Sequence, residues 1–352
     1  MLVALGSAAG VVWWASRLTL NREFVLFGSS AELTLRGDNQ HQLAAAADQV
    51  ERLLAAHHRD WHPWQESALT AVNRAIASGE PVLVPPTIAR LLAQSRPLVE
   101  ASSGMFDPGA GGLIALWGFH TSQWPAQGRV PDATTVLRLA ATHPSLRDVV
   151  VDDSVLRSSN PKVQLDFNAI AEGVAMEDAV RILREHGVGH ALLDLGGDIG
   201  ALGHADGHPW KVALRDPRGG VLGWVELADG EVLFASGNYS KFRDAGGIRR
   251  PHIVDPRTGN PVSGIAASVV LDDRPPRADA AATALMVANR EQWLALALRM
   301  DLVCVAVLTD DDTLRMTHAM QQRLVLLRQP ARIEVAVATP RSRCGGRRSQ
   351  YP

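Results

Sequence analysis

Cysteine is nearly absent from this sequence, which has two cysteines in 352 residues. Cys304 lies in the apolar run DLVCVAVL and is expected to be a small buried hydrophobic residue, whereas Cys344 lies in an Arg/Gly-rich tail. These positions exclude a zinc ligand set, a CxxC redox motif and a disulfide framework, and a disulfide between the two is not expected. An excess of one charge is also absent, because 35 basic residues face 37 acidic ones. Nothing in this balance indicates nucleic-acid binding.

The composition is that of a folded protein. Hydrophobic residues make up 46% and charged residues 20% of the chain, which suits one large domain or two ordinary ones and excludes a wholly disordered or fibrous protein. The end of the chain differs, since residues 341–352 contain four arginines and no acidic residue. We therefore predict a basic, disordered tail over residues 336–352.

Long apolar runs are missing except near the start. Leu2–Ala15, LVALGSAAGVVWWA, is an uncharged run of 14 residues followed by Arg17. It is too short to cross a bilayer comfortably, and it matches the apolar core of a secretory signal without the usual basic stretch before it. Residues 1–20 are thus predicted to be a signal-like or membrane-proximal segment, with an ordinary buried first helix or strand as the alternative. We expect an exported protein, periplasmic or attached to the outer face of the inner membrane.

Hydrophobic periodicity predicts an α+β protein rather than regular βαβ alternation. Residues 24–35, FVLFGSSAELTL, are typical of a strand interrupted by a small-residue turn. Helices are predicted at residues 39–56, at 86–102, after a cap at Asp132, and from a cap at Asn168 to Gly187. Strand-like runs follow, namely HALLDL, IGALG, WKVALR, GWVEL, EVLFAS, HIVD and AASVVLD, and then the helix ADAAATALMVA and the strand LVCVAVL.

Four clusters could carry chemistry, and each also has an ordinary structural explanation. The first, GMFDPGAGGL from Gly104, is either a plain loop or a backbone whose N–H groups approach a ligand closely. The second joins DFNAIAEG (166–173) to LDLGGDIG (193–200). It offers a helix start that attracts phosphate, or simply a tight hairpin turn at Gly196-Gly197. A Rossmann fingerprint is not favoured, because the residues after Gly197 have an extended pattern.

The other two clusters lie later in the chain. SGNY at Ser236 and HIVDPRTG at His252 place polar chemistry in a short span, or form a surface turn with a solvated histidine. Asp279 and Thr283 are four residues apart on one helix face, where two oxygens can converge on a hard cation. Such a pair on a helix is common and is mostly without function.

Together and in this order, the clusters resemble the ApbE family, the FAD:protein FMN transferases, from about Phe27 to about Ala319. Phe27-Gly-Ser29 is similar to the family's Met-Gly-Thr strand, and SALTAVN (67–73) is similar to its Ser-x-Leu-x-x-x-Asn element. The remaining matches are GMFDPGAGGL with LWGF, DFNAIAEG, DLGGDIGALG, SGNY, HIVDPRTG and ADAAATAL. The resemblance implies a single globular α+β unit over residues 21–335, with two subdomains around a flavin-binding cleft.

The resemblance also implies an activity. The family transfers the FMN moiety of FAD to a threonine or serine hydroxyl of an acceptor protein, and AMP leaves. Mg²⁺ suits this chemistry because it prefers oxygen ligands and neutralises phosphates. The implied acceptor is a flavoprotein, such as a subunit of a membrane redox complex. Two alternatives stay open: an FAD pyrophosphatase giving FMN and AMP, and a non-enzymatic, exported FAD-binding accessory protein for redox-complex maturation.

Site residues follow from the resemblance position by position. Asp279 and Thr283 would bind Mg²⁺ through side-chain oxygens, together with the backbone carbonyl of Ala169. His252 would accept the proton of the acceptor hydroxyl, since a neutral imidazole is near its useful pKa range. The FAD-binding residues would be Phe27, Met105, Phe106, Asp107, Asp166, Glu172, Ile253 and Thr258. The chain departs from the common family pattern at three places: Phe27 (usually Met), Gly109-Ala110 (usually Thr-Val) and Glu172 (often Lys).

Overall fold

A computed structural model of the chain describes residues 18–245 and 247–336. The apolar run Leu2–Ala15 and the arginines of the tail lie outside these residues. The first strand already begins at Leu18, slightly before the predicted domain start. Within the described ranges, no helix has the length and apolar character needed to cross a membrane.

The strands are β1 (Leu18–Leu26), β2 (Ser29–Gly37), β3 (Val82–Leu83), β4 (Val149–Asp152), β5 (Val155–Ser158), β6 (His190–Leu195), β7 (Asp198–Leu202), β8 (Trp210–Arg215), β9 (Val221–Leu227), β10 (Val232–Gly237), β11 (Phe242–Ala245), β12 (Ile248–Pro251), β13 (Ile265–Asp272), β14 (Cys304–Thr309), β15 (Thr313–Thr317), β16 (Val325–Leu326) and β17 (Arg332–Ala336). The helices are α1 (Gln40–Asp60), α2 (Ala68–Ser78), α3 (Pro86–Ala101), α4 (Gly111–Leu116), α5 (Ala133–Ala140), α6 (Ala171–Glu185), α7 (Pro275–Val287), α8 (Trp293–Arg299) and α9 (His318–Gln321). A short 3₁₀ helix spans Leu146–Asp148.

A nine-stranded sheet organises the protein, in the order β1-β2-β6-β7-β10-β13-β14-β15-β17. Its neighbouring strands are antiparallel except for β15 and β17, which run parallel. Helix α7 packs against β10 and β13, and α6 packs against α7 and α1. This arrangement confirms the predicted α+β class, since helices cover a mainly antiparallel sheet rather than alternate with parallel strands.

Three hydrophobic clusters hold these layers together. The largest lies between the helices and the main sheet, with residues such as Leu35, Leu54 and Val174 completely buried. A second cluster joins the main sheet to the small β16-β9-β8 sheet. A third and smaller one surrounds α4 and α5 and includes Val254, from the segment after His252. The candidate site residues are distributed around the first and third of these clusters.

Local patterns account for several of the elements. The predicted interrupted strand is the hairpin of β1 and β2, which turns at Phe27-Gly28 with φ angles of 48° and 78°. The cap expected at Asp132 is present, because its side chain accepts a backbone N–H group at the start of α5. Asn39 caps α1 in the same way, which was not predicted. Gly196-Gly197 forms a tight turn between β6 and β7 with positive φ at both glycines. That turn agrees with the hairpin explanation rather than a dinucleotide fingerprint.

Three expectations were wrong. Asn168 does not cap α6, which begins at Ala171 with Ile170 at the capping position and no side-chain cap of its own. The run HIVD forms no strand and makes only an isolated bridge between Val254 and Pro261, and a turn at residues 256–258 follows it directly. Cys304 is buried as expected but is disulfide-bonded. Sequence spacing alone did not indicate that bond, and Cys344 lies outside the described residues.

Candidate active site

The start of α6 is held against α7 by a carboxylate. Asp279, on α7, is 6% exposed and accepts the Gly173 N–H through Oδ2 at 2.8 Å. Gly173 is the third residue of α6, where a capping side chain would normally accept such an N–H group. Asp279 therefore caps α6 from a distance of 106 residues in the chain.

Glycine is required at this contact. A Cβ built on Gly173 would lie 2.6 Å from the carbonyl oxygen of Pro275 and 2.7 Å from Cα of Pro276. The two helices thus approach each other backbone to backbone, and only a residue without a side chain allows this. The AEG sequence at residues 171–173 owes its glycine to this packing, which also brings Glu172 close to Asp279.

The same capping bond releases the carbonyl of Ala169. In a continuing helix the Gly173 N–H would donate to the carbonyl oxygen four residues earlier, which is that of Ala169. It donates to Asp279 instead, so the Ala169 carbonyl oxygen does not accept this hydrogen bond. One turn further along α7, the Thr283 hydroxyl lies 3.3 Å from the hydroxyl of Ser236 on β10.

Three carboxyl groups concentrate negative charge here. Burial raises the pKa of Asp279 well above its ordinary value, and the charges of Glu172 and Asp198 raise it further. Burial and the charge of Glu172 likewise raise the pKa of Asp198, which accepts the Ala235 N–H at 2.9 Å. Burial raises the pKa of Glu172 to about 7 against the opposing charge of Lys241. Such mutual repulsion is relieved when a cation binds.

The donors available fit a hard divalent cation. A carboxylate, a hydroxyl and a backbone carbonyl are the oxygen ligands that Mg²⁺ accepts. In the described part of the chain, no three His, Cys, Asp or Glu side chains are grouped so as to hold a metal by themselves. A cation here would thus rely on Asp279 together with the neutral oxygens of Thr283 and Ala169. The three predicted ligands are compatible with this chemistry, and their role stays a prediction.

The glycine-rich loop runs beside the residues before α6. The Asp166 N–H donates to the Pro108 carbonyl at 2.8 Å, and the Gly111 N–H donates to the Gln164 carbonyl at 2.8 Å. A Cβ on Gly109 would lie 2.4 Å from the backbone of Ser145. Close packing therefore explains Gly109 and Gly111, whose N–H groups are used within the protein rather than offered to a ligand.

The three predicted FAD contacts in this loop differ in surroundings. Met105 and Phe106 are 4% and 3% exposed and pack in the main core. Asp107 holds the next segment, because its carboxylate accepts the Ser145 hydroxyl at 2.5 Å and the Leu146 N–H at 2.8 Å. These contacts give Asp107 a structural role, and a role of the loop in FAD binding stays a prediction.

Asp166 lies within a hydrogen-bonded pair. Its Oδ2 is 2.9 Å from Nε2 of His120, and its Oδ1 accepts the Asn168 N–H at 2.9 Å. The His120 ring stacks on Trp64 with centroids 5.2 Å apart. Asp166 is therefore oriented by hydrogen-bond partners on two sides. It precedes Ala169 by three residues, and its charge acts on Glu172.

His252 lies directly after β12. Its Nδ1 is 3.2 Å from the Lys241 carbonyl oxygen, and its ring meets Trp124 edge-on with centroids 5.8 Å apart. Burial and the charge of Lys241 lower the pKa of His252 to about 4. Because a carbonyl only accepts, the Nδ1 carries the proton in this contact and Nε2 keeps its lone pair. Of the nearby predicted contacts, Ile253 is buried and Thr258 is exposed.

Phe27 lies at the β1–β2 turn against an aromatic group on α1. Its ring is parallel to Trp61 with centroids 6.1 Å apart and lies 5.8 Å from the ring of His58. The Phe27 N–H donates to Nδ1 of His58 at 3.0 Å. His57 contacts Asp178 at 2.9 Å, so both of these histidines have protein partners.

Sequence reasoning missed several polar residues around the site. Asp198 and Ser236 belong to the quoted motifs DLGGDIG and SGNY, where an acid and a hydroxyl beside glycines are the available indication. Lys241 and His120 belong to no pattern that we used. Their positions depend on contacts with Glu172, His252 and Asp166, which lie far away in the sequence.

Solved structures share this architecture. The crystal structure of the ApbE protein from Thermotoga maritima has a TM-score of 0.79 at 23% identity, covering 87% of this chain and 99% of that chain. The flavinyl transferase ApbE of Pseudomonas stutzeri, in its apo form, has a TM-score of 0.73 at 29% identity, covering 84% and 92%. The fold is therefore the ApbE type of α+β unit.

Sequence comparisons agree. The profile of the ApbE family matches residues 27–306, and this chain belongs to that family. An FAD:protein FMN transferase of Rhodobacter capsulatus is 41% identical over 310 residues, which cover 87% of this chain and 58% of that protein. Another from Treponema pallidum is 33% identical over 265 residues, covering 70% of each. This chain thus matches little more than half the length of the Rhodobacter capsulatus relative.

Proposed function

We propose that this chain transfers the FMN moiety of FAD to a threonine or serine hydroxyl of an acceptor protein, with AMP as the leaving group. Relatives described as FAD:protein FMN transferases support the reaction class. The observation that carries the proposal is the capping of α6 by Asp279, which joins a buried carboxylate to the released Ala169 carbonyl. Thr283 adds a hydroxyl one turn further along the same helix.

Asp279, Thr283 and the Ala169 carbonyl are the proposed Mg²⁺ ligands. Bound Mg²⁺ would supply positive charge to the FAD diphosphate, which otherwise meets the carboxyls of Glu172 and Asp198. The protein's own contribution is positioning, since the reaction needs little covalent help from the enzyme. Backbone packing at Gly173 fixes α6 and α7 relative to each other, which supports a fixed position for the residues proposed as ligands.

His252 is the proposed proton acceptor. Its pKa near 4 keeps the ring neutral at physiological pH, and its Nδ1–H is bound by the Lys241 carbonyl. Nε2 would then take the proton as the acceptor oxygen forms its bond to phosphorus and the bond to AMP breaks. The low pKa makes His252 a weak base, so orientation of the hydroxyl is its main contribution.

The direct test is intact-mass analysis of an acceptor flavoprotein incubated with this protein, FAD and MgCl₂. We expect the acceptor to gain the mass of FMN less one water and to become fluorescent on a denaturing gel, while AMP is released from FAD in equal amount. Free FMN without labelled acceptor would favour FAD hydrolysis instead. Tight FAD binding without any turnover would favour the accessory-protein alternative.

Asp279→Asn tests the metal assignment. We expect loss of labelling and loss of the Mg²⁺-dependent rise in Tm, because a charged ligand is removed. In EDTA the variant should be at least as stable as the wild type, since one of three repelling carboxyls is neutralised. Asp152→Asn, at an exposed position on β4, is the matched control. Unchanged labelling by Asp279→Asn would reject the assignment.

The place of action is also a proposal. The uncharged run Leu2–Ala15 supports export, and we propose that the acceptor is a flavoprotein subunit of a membrane redox complex reached outside the cytoplasm. Fractionation of cells tests this. A protein found only in the cytosolic fraction would contradict it.

A further inference from the structure

Strands β11 and β12 form a two-stranded ribbon that leads directly to His252. The inner strand, β11, is fixed to the body of the protein. Its Arg243 side chain is 2% exposed and donates to the carbonyl oxygens of Trp117 at 2.9 Å and Gly128 at 2.7 Å. Among the described residues, the outer strand β12 pairs with β11 alone. The ribbon therefore presents one open edge beside the proposed proton acceptor.

Backbone hydrogen bonds on the two sides of β11 define which groups face outward. The His252 N–H donates across the ribbon to the Lys241 carbonyl at 3.1 Å. The next carbonyl, that of Phe242, points the other way and accepts the Ala126 N–H at 2.9 Å. Bonded and non-bonded pairs alternate along an antiparallel ladder. The Phe242–Pro251 pair is therefore a non-bonded one, as a proline without an N–H group allows.

The same alternation applies two residues further along, at the pair of Asp244 with Arg249. The N–H and C=O groups of Arg249 and the C=O group of Pro251 consequently face away from β11. These are the groups that an added strand would bond. They lie on the residues just before His252, so a strand paired here would run past the histidine.

The side chains of this edge select the charge of a partner. Arg249 and Arg250 are exposed, and Ile248 is 55% exposed. The Arg249 guanidinium lies over the Phe242 ring, 4.5 Å from its centroid. Within the described part of the chain, neither arginine forms a salt bridge, and the exposed Asp244 lies opposite Arg249 in the ribbon. Two exposed arginines, only one of which lies opposite an acidic residue, and one apolar side chain thus border an open strand.

We propose that β12 is the docking edge for the acceptor polypeptide, which adds as an extended strand bearing acidic residues near the reacting hydroxyl. This inference rests on the proposed function, because the proposed reaction requires an acceptor polypeptide. Arg249 precedes His252 by three residues, a distance of about 10 Å in extended chain. Acidic side chains opposite the arginines would accordingly lie about two to four residues from the threonine or serine.

Binding of short peptides tests the charge preference directly. Two fluorescein-labelled peptides share a central threonine, one with Asp and Glu on either side of it and the other with Lys. By fluorescence anisotropy with FAD and Mg²⁺ present, we expect the acidic peptide to bind about fivefold more tightly, less so at high salt. The double variant R249E/R250E should reverse the preference. The control R52E/R299E, at two exposed arginines on α1 and α8, should keep it.

A second comparison tests strand addition itself. Arg249→Ala and Arg249→Pro both remove the guanidinium, but only the proline variant also removes the outward N–H. We expect Arg249→Pro to bind the acidic peptide about fivefold more weakly than Arg249→Ala, while FAD binding and Tm stay equal. Equal peptide affinities of these two variants would exclude backbone pairing at β12.

The outcomes separate this inference from the proposed function. If wild type and R249E/R250E bind both peptides equally, or bind neither, the docking edge is wrong even when an acceptor is still flavinylated. If the charge reversal is seen but no acceptor is ever flavinylated, the proposed transfer fails while the peptide edge stands. Unchanged FAD binding by the variants confirms that they are folded.

Discussion

The close contact of α6 with α7 predicts a specific effect of Gly173→Ala. The new Cβ would lie 2.7 Å from Cα of Pro276 and 2.6 Å from the Pro275 carbonyl oxygen. Carbon atoms in contact are separated by about 3.5 Å, so the two helix starts must move apart by about 0.8 Å. The 2.8 Å bond from the residue 173 N–H to Asp279 would then approach about 3.6 Å, beyond a useful hydrogen bond.

Three terms determine the size of the effect. Overpacking costs about 1–3 kcal/mol, and loss of a hydrogen bond to a carboxylate costs about 1.5–3 kcal/mol. Replacing glycine by alanine inside a helix returns about 0.5–1 kcal/mol. We therefore expect the free energy of unfolding of Gly173→Ala to fall by about 1.5–5.5 kcal/mol. The Mg²⁺-dependent rise in Tm should fall with it, because the proposed ligands are on the displaced helices.

Denaturant unfolding of the variant and of Gly189→Ala measures this effect. Gly189 is exposed after α6, and a Cβ there would meet nothing within 4 Å, so its replacement should be nearly neutral. If Gly173→Ala unfolds like this control and keeps its response to Mg²⁺, the helices tolerate a side chain and the packing argument is refuted.

Two further predictions concern pH. The pKa of His252 is held near 4, below its ordinary 6.5, so the unfolded chain binds a proton first on acidification. The free energy of unfolding of the wild type should fall by up to about 3 kcal/mol between pH 6.5 and 4. In urea titrations of His252→Gln over this range, the free energy of unfolding should depend less steeply on pH. The same dependence as in the wild type would contradict this prediction. Burial disfavours ionised Asp178, but hydrogen bonds from His57 and Arg90 prevail and lower its pKa from 3.8 to about 2. The ionised Asp178 carboxylate therefore contributes about 2 kcal/mol to the free energy of unfolding. This contribution is complete above pH 3.8 and is lost as the pH falls through 2. Asp178→Asn should cost about 3–5 kcal/mol at neutral pH, and a loss below 1 kcal/mol in urea unfolding would contradict the buried network.

Elements determined by neighbouring residues could be predicted from the sequence. The Phe27-Gly28 turn, the Asp132 cap and the Gly196-Gly197 turn each depend on two to four consecutive residues. Their local chemistry selects one conformation, so the pattern and the structure agree.

Elements determined by distant contacts could not. The start of α6 is set by Asp279, more than a hundred residues later, and not by the nearby Asn168. Asp107 accepts a hydrogen bond from Ser145, which lies 38 residues later in the sequence. No local pattern contains these distances.

The candidate site shows both cases. The order of the motifs, through the family resemblance, assigned Ala169, Asp279 and Thr283 to one site, and their surroundings suit a cation. The same motifs gave no reason to choose Asp198 or Lys241, because the charge of each matters only after folding places it beside Glu172.

The long separation between Gly173 and its capping carboxylate also has a consequence for synthesis. A ribosome adding about 5–20 residues per second needs roughly 5–20 s to travel the 106 residues from one partner to the other. During that interval the start of α6 in the nascent polypeptide is without its capping carboxylate. Fragments that end before α7 therefore lack Asp279 and Thr283, two of the three proposed Mg²⁺ ligands, however well their earlier hairpin has formed.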